Sequence, residues 1–142
     1  MIIQLTDVIL MAWRLNKLSK NIKNYVCPNC FEQINKCKCS DSGYYIIMVD
    51  YKMQYAIRGL NNKHYYTSAC CEGHYQKNNT IKAYILFKNK PVSCPVGWRY
   101  KRNGLYFDSP IVTNKKKFIE LQNEAINNLN KWVDSLIKYN WS

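Results

Sequence analysis

The chain is short of acid. Only nine of its 142 residues are Asp or Glu, against 21 Lys and Arg, for a net charge of +12. In a chain this small that surplus exceeds what solubility needs and points to an anionic partner: nucleic acid, a nucleotide or an acidic protein surface. Lysine outnumbers arginine 17 to 4, and Asn, Ile and Tyr are plentiful, as an AT-rich coding bias would produce. Such a bias chooses between cations; it does not explain missing carboxylates. Long hydrophobic runs are lacking too. No segment reaches about 18 apolar residues, so no membrane span is expected. The opening Met1-Ile2-Ile3-Gln4-Leu5-Thr6-Asp7 lacks the basic region of a signal peptide, and Arg14 and Lys17 break the first apolar run. The expectation is a cytoplasmic protein. Seven cysteines make an odd set, which in a non-secreted chain reads as metal ligation plus free thiols, not a disulfide framework.

What is present is enough for a core. Apolar residues make up 47% of a length that suits one domain, residues 1–142. The aromatic share of 14% is mostly tyrosine, which fills strands well and can also stack on bases.

The cysteines give the most specific signal. Cys27-Pro28-Asn29-Cys30 and Cys37-Lys38-Cys39 form C-x2-C-x6-C-x-C. Two close thiolate pairs with a short spacer can converge on one tetrahedral Zn²⁺, and Lys36 and Lys38 would offset its negative charge. Four protein ligands close such a site, so the zinc would be structural, stapling an insertion over residues 24–42. The alternative is a cysteine-rich loop of free thiols.

Around this insertion the periodicity predicts an α+β fold with a small mixed or antiparallel sheet. A first helix is expected over residues 6–20, from Val8, Met11, Ala12, Leu15 and Leu18. Ser40-Asp41-Ser42-Gly43 reads as a turn and residues 44–49 as a strand. Asp50 can cap a helix with Met53, Ala56, Ile57 and Leu60 on one face, weakened at Gly59 and stopped at Asn61-Asn62. Strands follow at 65–69 and 81–87, and Asn103-Gly104 signals a hairpin. Phe118, Leu121, Ala125, Leu129, Trp132 and Leu136 trace a long amphipathic helix over 113–138. Its face is broad enough to pack across the sheet or to join a second copy in a homodimer.

Two constellations carry the functional expectations. The first is the loop Ser68-Ala69-Cys70-Cys71-Glu72-Gly73-His74, where a strand ends on small and polar side chains. Gly73 permits a positive φ or close approach of a ligand. Glu72 and His74 could form an acid/base pair, Cys70 or Cys71 could be a nucleophile or metal ligand, and His64 and Cys94 could complete a second metal site. Adjacent cysteines point to opposite faces of a strand, so one of the two belongs to the core. A ligand-binding loop without covalent chemistry is the preferred reading, which makes the chain a binding protein before an enzyme. The second constellation is Trp98-Arg99-Tyr100-Lys101-Arg102 with Lys115-Lys116-Lys117. Interleaved rings and cations suit a single strand or a nucleotide, and three lysines in a helix's first turn, where the dipole disfavours them, suit a phosphate.

The segment Ile57-Arg58-Gly59-Leu60-Asn61, then Tyr65-Tyr66-Thr67-Ser68-Ala69-Cys70-Cys71-Glu72-Gly73-His74, then Tyr84-Ile85-Leu86-Phe87 resembles a group of small phage and low-GC bacterial proteins. That resemblance implies a compact α/β fold and a viral accessory role, with counter-defence as its setting. One form of that role is an anti-CRISPR-like inhibitor that caps a host defence nuclease complex. Thr67-Ser68, Cys71 and Gly73 are also distantly similar to a segment of the third wybutosine-synthesis family, which would imply a methyltransferase acting on tRNA; His74 stands where that family has arginine.

Overall fold

The computed structural model describes residues 22–39 and 47–140. The helix expected over residues 6–20, the turn at 40–43 and the start of the strand at 44–49 lie outside them. The architecture is α+β, with two antiparallel sheets and a long C-terminal helix. Among the described residues no helix is long and apolar enough to cross a membrane. The chain divides into two compact units, Met1–Gln54 and Tyr55–Ser142.

In the first unit Tyr25–Val26 (β1) pairs antiparallel with Ile47–Met48 (β2). Val26 also bridges to Gln33, which pinches the base of the loop carrying Cys27 and Cys30. Gln54 ties the unit together. Its amide nitrogen donates to the carbonyls of Lys23 and Val49, and its oxygen accepts from Gln33. A buried amide is tolerated when both ends are bonded in this way. A 3-10 turn, Tyr51–Met53, runs into α1, Gln54–Asn62. Asp50 stands at the N-cap position, but the turn is closed by the Met53 amide on its carbonyl, not by its side chain. The expected apolar face is buried at Met53, Ala56, Ile57 and Leu60.

The second unit is a four-stranded antiparallel sheet with helices on one face. Its strands are Thr67–Cys71 (β3), Lys82–Phe87 (β4), Arg99–Lys101 (β5) and Gly104–Asp108 (β6), in the order β3-β4-β6-β5. β3 starts two residues later than its apolar pattern suggests. Tyr65 is drawn out of the strand because its hydroxyl donates to the Ile137 carbonyl, and a bulge between Thr67 and Ala69 resets the register. The α1 end is fixed by Asn61, whose side chain donates to the Thr67 hydroxyl and accepts from the Thr67 amide. The hairpin also differs by one residue: Lys101 pairs with Gly104, so Arg102 and Asn103 make the turn, with Arg102 at φ +60°.

The C-terminal helix, α2, spans Lys115–Ser135, inside the expected limits. Asn114 caps it by accepting from the Lys117 amide at 2.8 Å. At the other end Lys63 Nζ donates to the carbonyls of Val133 and Asp134, satisfying groups the helix cannot. Its apolar stripe of Phe118, Ala125, Ile126, Leu129, Trp132 and Val133 is buried. Trp98 Nε1 donates to the Ala125 carbonyl, and Phe118 sits with Ile81, Val112 and Phe107. The covered face of the sheet is therefore that of Ala83, Ile85, Phe87, Leu105 and Phe107. Fully buried side chains such as Ile85, Leu105 and Leu129 contribute about 1.5–3 kcal/mol each. At Gly59 α1 and α2 are in close contact: a Cβ there would lie 2.6 Å from Val133 Cγ1. The glycine that propensity counts as a weakness is what lets the two helices meet.

Candidate functional site

The thiols expected to bind metal do converge. The sulfur atoms of Cys27, Cys30, Cys37 and Cys39 all lie within 4.8 Å of one another. Cys30 and Cys37 are 3.6 Å apart, close to the ~3.8 Å edge of a tetrahedron with metal–sulfur bonds near ~2.3 Å. The backbone is shaped for it. Phe31, at φ +58°, turns the chain so that its amide reaches the Cys27 carbonyl at 2.8 Å. The amides of Asn29 and Cys39 donate to the sulfurs of Cys27 and Cys37, both at 3.3 Å. Burial pushes the Cys30 thiol up to about 12, hydrogen bonds with the neighbouring thiols work in the same direction, and the Glu32 backbone opposes them. Thiolates this crowded need a cation among them, and the donor set fits a soft, tetrahedral divalent metal.

The loop after β3 brings ligand atoms of Cys71 and His74 within 4.8 Å of each other and packs its turn into the fold. Gly73 is buried at φ +86°, and a Cβ on it would fall 2.8 Å from Ile81 Cγ2. The carbonyls of Glu72 and Gly73 both accept from Gln122 Nε2 at 2.9 Å. Gln122 is 3% exposed within the apolar stripe of α2, and the sequence offered no signal for its role. The glycine is therefore required by packing against Ile81. His74 and Ser68 are exposed, and Glu72 is half-buried. Among the described residues His64 and Cys94 do not converge with Cys71 and His74. His64 stacks on Tyr66, and Cys94 donates to the Trp98 carbonyl while burial raises its thiol.

The face of the sheet opposite α2 holds what the hairpin pattern only half revealed. Register aligns Cys71 with Tyr84, Tyr84 with Tyr106 and Tyr106 with Arg99, a single row across all four strands. Cys70 pairs with Ile85 and so takes the core side, as the alternation requires. The rings of Tyr84 and Tyr106 lie side by side with centroids 6.2 Å apart. The next row is Ala69, Leu86, Gly104 and Lys101. Gly104 is there because the Tyr106 ring covers it: a Cβ would lie 2.6 Å from Tyr106 Cε2 and 2.8 Å from Leu86 Cδ2. Beyond Tyr106, Lys82 of β4 faces Asp108 of β6, and Arg99 forms an ion pair with Asp108. Arg99, Lys101, Arg102, Tyr106 and Asp108 line a depression of about 320 Å³.

This distribution corrects two expectations. Trp98 is 6% exposed with its indole turned to α2, so it cannot stack on a ligand; the same alternation that brings Arg99 and Lys101 outward sends Trp98 and Tyr100 inward. Lys115, Lys116 and Lys117 are exposed, but they open the helix that covers the opposite face of the sheet. The loop 71–74 and the hairpin sit on opposite edges of the sheet, three strand spacings or about 14 Å apart. Tyr84 and Tyr106, absent from the expected set, are readable in hindsight only as the i and i+2 partners of Leu86 and Gly104 in two strand-like runs. No protein-family model, curated protein or solved structure matches the chain.

Proposed function

We propose that the face of the four-stranded sheet opposite α2 binds single-stranded nucleic acid. Tyr106 and Tyr84 are its stacking surfaces, and Lys82, Lys101, Arg102 and Arg99 are its phosphate partners. The observation that carries this reading is the transverse row Cys71–Tyr84–Tyr106–Arg99 on the face of the sheet opposite α2, two half-buried rings side by side with cations around them. Every base has a π-face, so stacking on tyrosine is tolerant of sequence and contributes about 1–3 kcal/mol per base. The net charge of +12 adds long-range attraction for the phosphate backbone. In the first unit Cys27, Cys30, Cys37 and Cys39 hold a structural Zn²⁺. All four positions of that ion are taken by protein, so its part is to cross-link the loop and not to activate water.

Fluorescence anisotropy with a labelled oligothymidylate of about ten residues tests the binding face. The wild-type chain binds it, and four phosphate contacts give a log–log salt slope near about −3. Tyr106→Ala weakens binding by about tenfold or more, and Lys101→Glu weakens it further as salt is lowered. Unchanged affinity in Tyr106→Ala, with a native thermal transition, refutes the reading.

A further inference from the structure

We infer that the depression beside Tyr106 seats one base and that Asp108 makes it selective for guanine. This rests on the proposed nucleic-acid face and goes beyond it, because stacking and phosphate contacts alone carry no sequence information.

Asp108 is the exception on this surface. Lys82, Arg99, Lys101 and Arg102 are cations around a phosphate-binding face, and a carboxylate among them opposes a polyanion. Among the described residues its partner is the Arg99 guanidinium, and both side chains remain substantially exposed, at 63% for Arg99 and 41% for Asp108. One ion pair leaves most of the carboxylate's acceptor sites available, since two oxygens offer about four. Asp108 lies two residues beyond Tyr106 on the same face, and both line the 320 Å³ depression. That volume is at the low end for a small-ligand pocket, about the scale of one nucleotide.

Among the bases, guanine alone presents two adjacent donors, N1–H and the N2 amino group, on its Watson–Crick edge. These match the two oxygens of a carboxylate, and the neighbouring O6 accepts from a guanidinium such as Arg99. Cytosine and adenine offer one donor beside a ring nitrogen acceptor. Thymine offers one donor flanked by two carbonyls. Each of these meets the carboxylate with at least one repulsive lone pair. The Arg99–Asp108 pair thus supplies an acceptor pair and a donor in the order a guanine edge requires, with Tyr106 beneath.

Two labelled oligonucleotides test this by anisotropy: oligothymidylate and the same strand with one central guanine. Wild-type protein should bind the guanine strand roughly tenfold to hundredfold more tightly. Asp108→Asn presents one acceptor and one donor, so it should lose that ratio while binding oligothymidylate as well as or better than wild type, having shed a negative charge. A purely structural role for Asp108 would weaken both strands equally and leave the ratio intact, which overturns the inference. Equal wild-type affinity for the two strands overturns it and leaves the general binding face standing. Failure of wild type to bind either strand removes the binding face and the inference with it.

Discussion

Replacing Gly59 with alanine sets two physical effects against each other, and the structure decides the sign. In an exposed helix the change stabilises by about 1 kcal/mol, because glycine carries excess backbone freedom. Here the new Cβ would sit 2.6 Å from Val133 Cγ1, whereas carbons in contact prefer about 3.5–4.0 Å. Val133 is 1% exposed and β-branched on α2, so one χ1 rotamer is strongly favoured and the methyl cannot swing aside. The helices must part by about 1 Å, and overpacking of this kind costs about 1–3 kcal/mol. The net expectation is a loss of about 1 kcal/mol, read as a Tm lower by about 4 °C in a thermal melt. Val133→Ala removes the obstructing methyl. In that background Gly59→Ala should turn stabilising, so a double-mutant cycle should return a coupling of about 1 kcal/mol or more. A raised Tm for Gly59→Ala in the wild-type background would refute the close contact of α1 and α2.

Two further expectations concern the thiols and a buried phenol. The purified protein should carry one zinc per chain, and Cys30→Ser should reduce that content; chelation should speed hydrogen exchange of the Cys27, Phe31 and Cys39 amides, and unchanged exchange after complete metal removal would sink the cross-link. Among the described residues the buried Tyr100 hydroxyl has no hydrogen-bond partner, and burial raises its pKa above the ordinary phenol value. Its contribution to stability is therefore complete below about pH 10 and falls as pH rises beyond it. Tyr100→Phe should remove that alkaline slope and stabilise by about 1 kcal/mol, while Lys90, 5.1 Å from the ring centroid, keeps its contact; a destabilised Phe variant in urea titrations would contradict this.

Much of the fold was legible because it is local. The 3.6-residue spacing of Phe118, Ala125, Leu129 and Trp132 names the buried stripe of α2, and Met53, Ala56, Ile57 and Leu60 name that of α1. The cysteine spacing anticipates a convergence that the chain achieves within a short loop. What escaped is non-local. Tyr84 and Tyr106 become neighbours only through strand register, which depends on the whole sheet. The alternation at 98–101 separates rings from cations, but nothing in it says which set a helix will cover. Gly104 reads as a turn residue, yet its need for space comes from Tyr106 folding back over it. Gln122 reads as a flaw in an apolar stripe, although it holds the backbone of residues 72 and 73.

Among the described residues the sheet has two edges, and both are guarded against adding a foreign strand. β3 carries the bulge between Thr67 and Ala69, and β5 is three residues long and bears Arg99 and Lys101. Bulges, brevity and charge are how a sheet avoids edge-to-edge aggregation. The cations of β5 thus have a role at the sheet's edge that is independent of any ligand. Neutralising both would leave a flatter, less repulsive edge, and such a variant should self-associate as concentration rises.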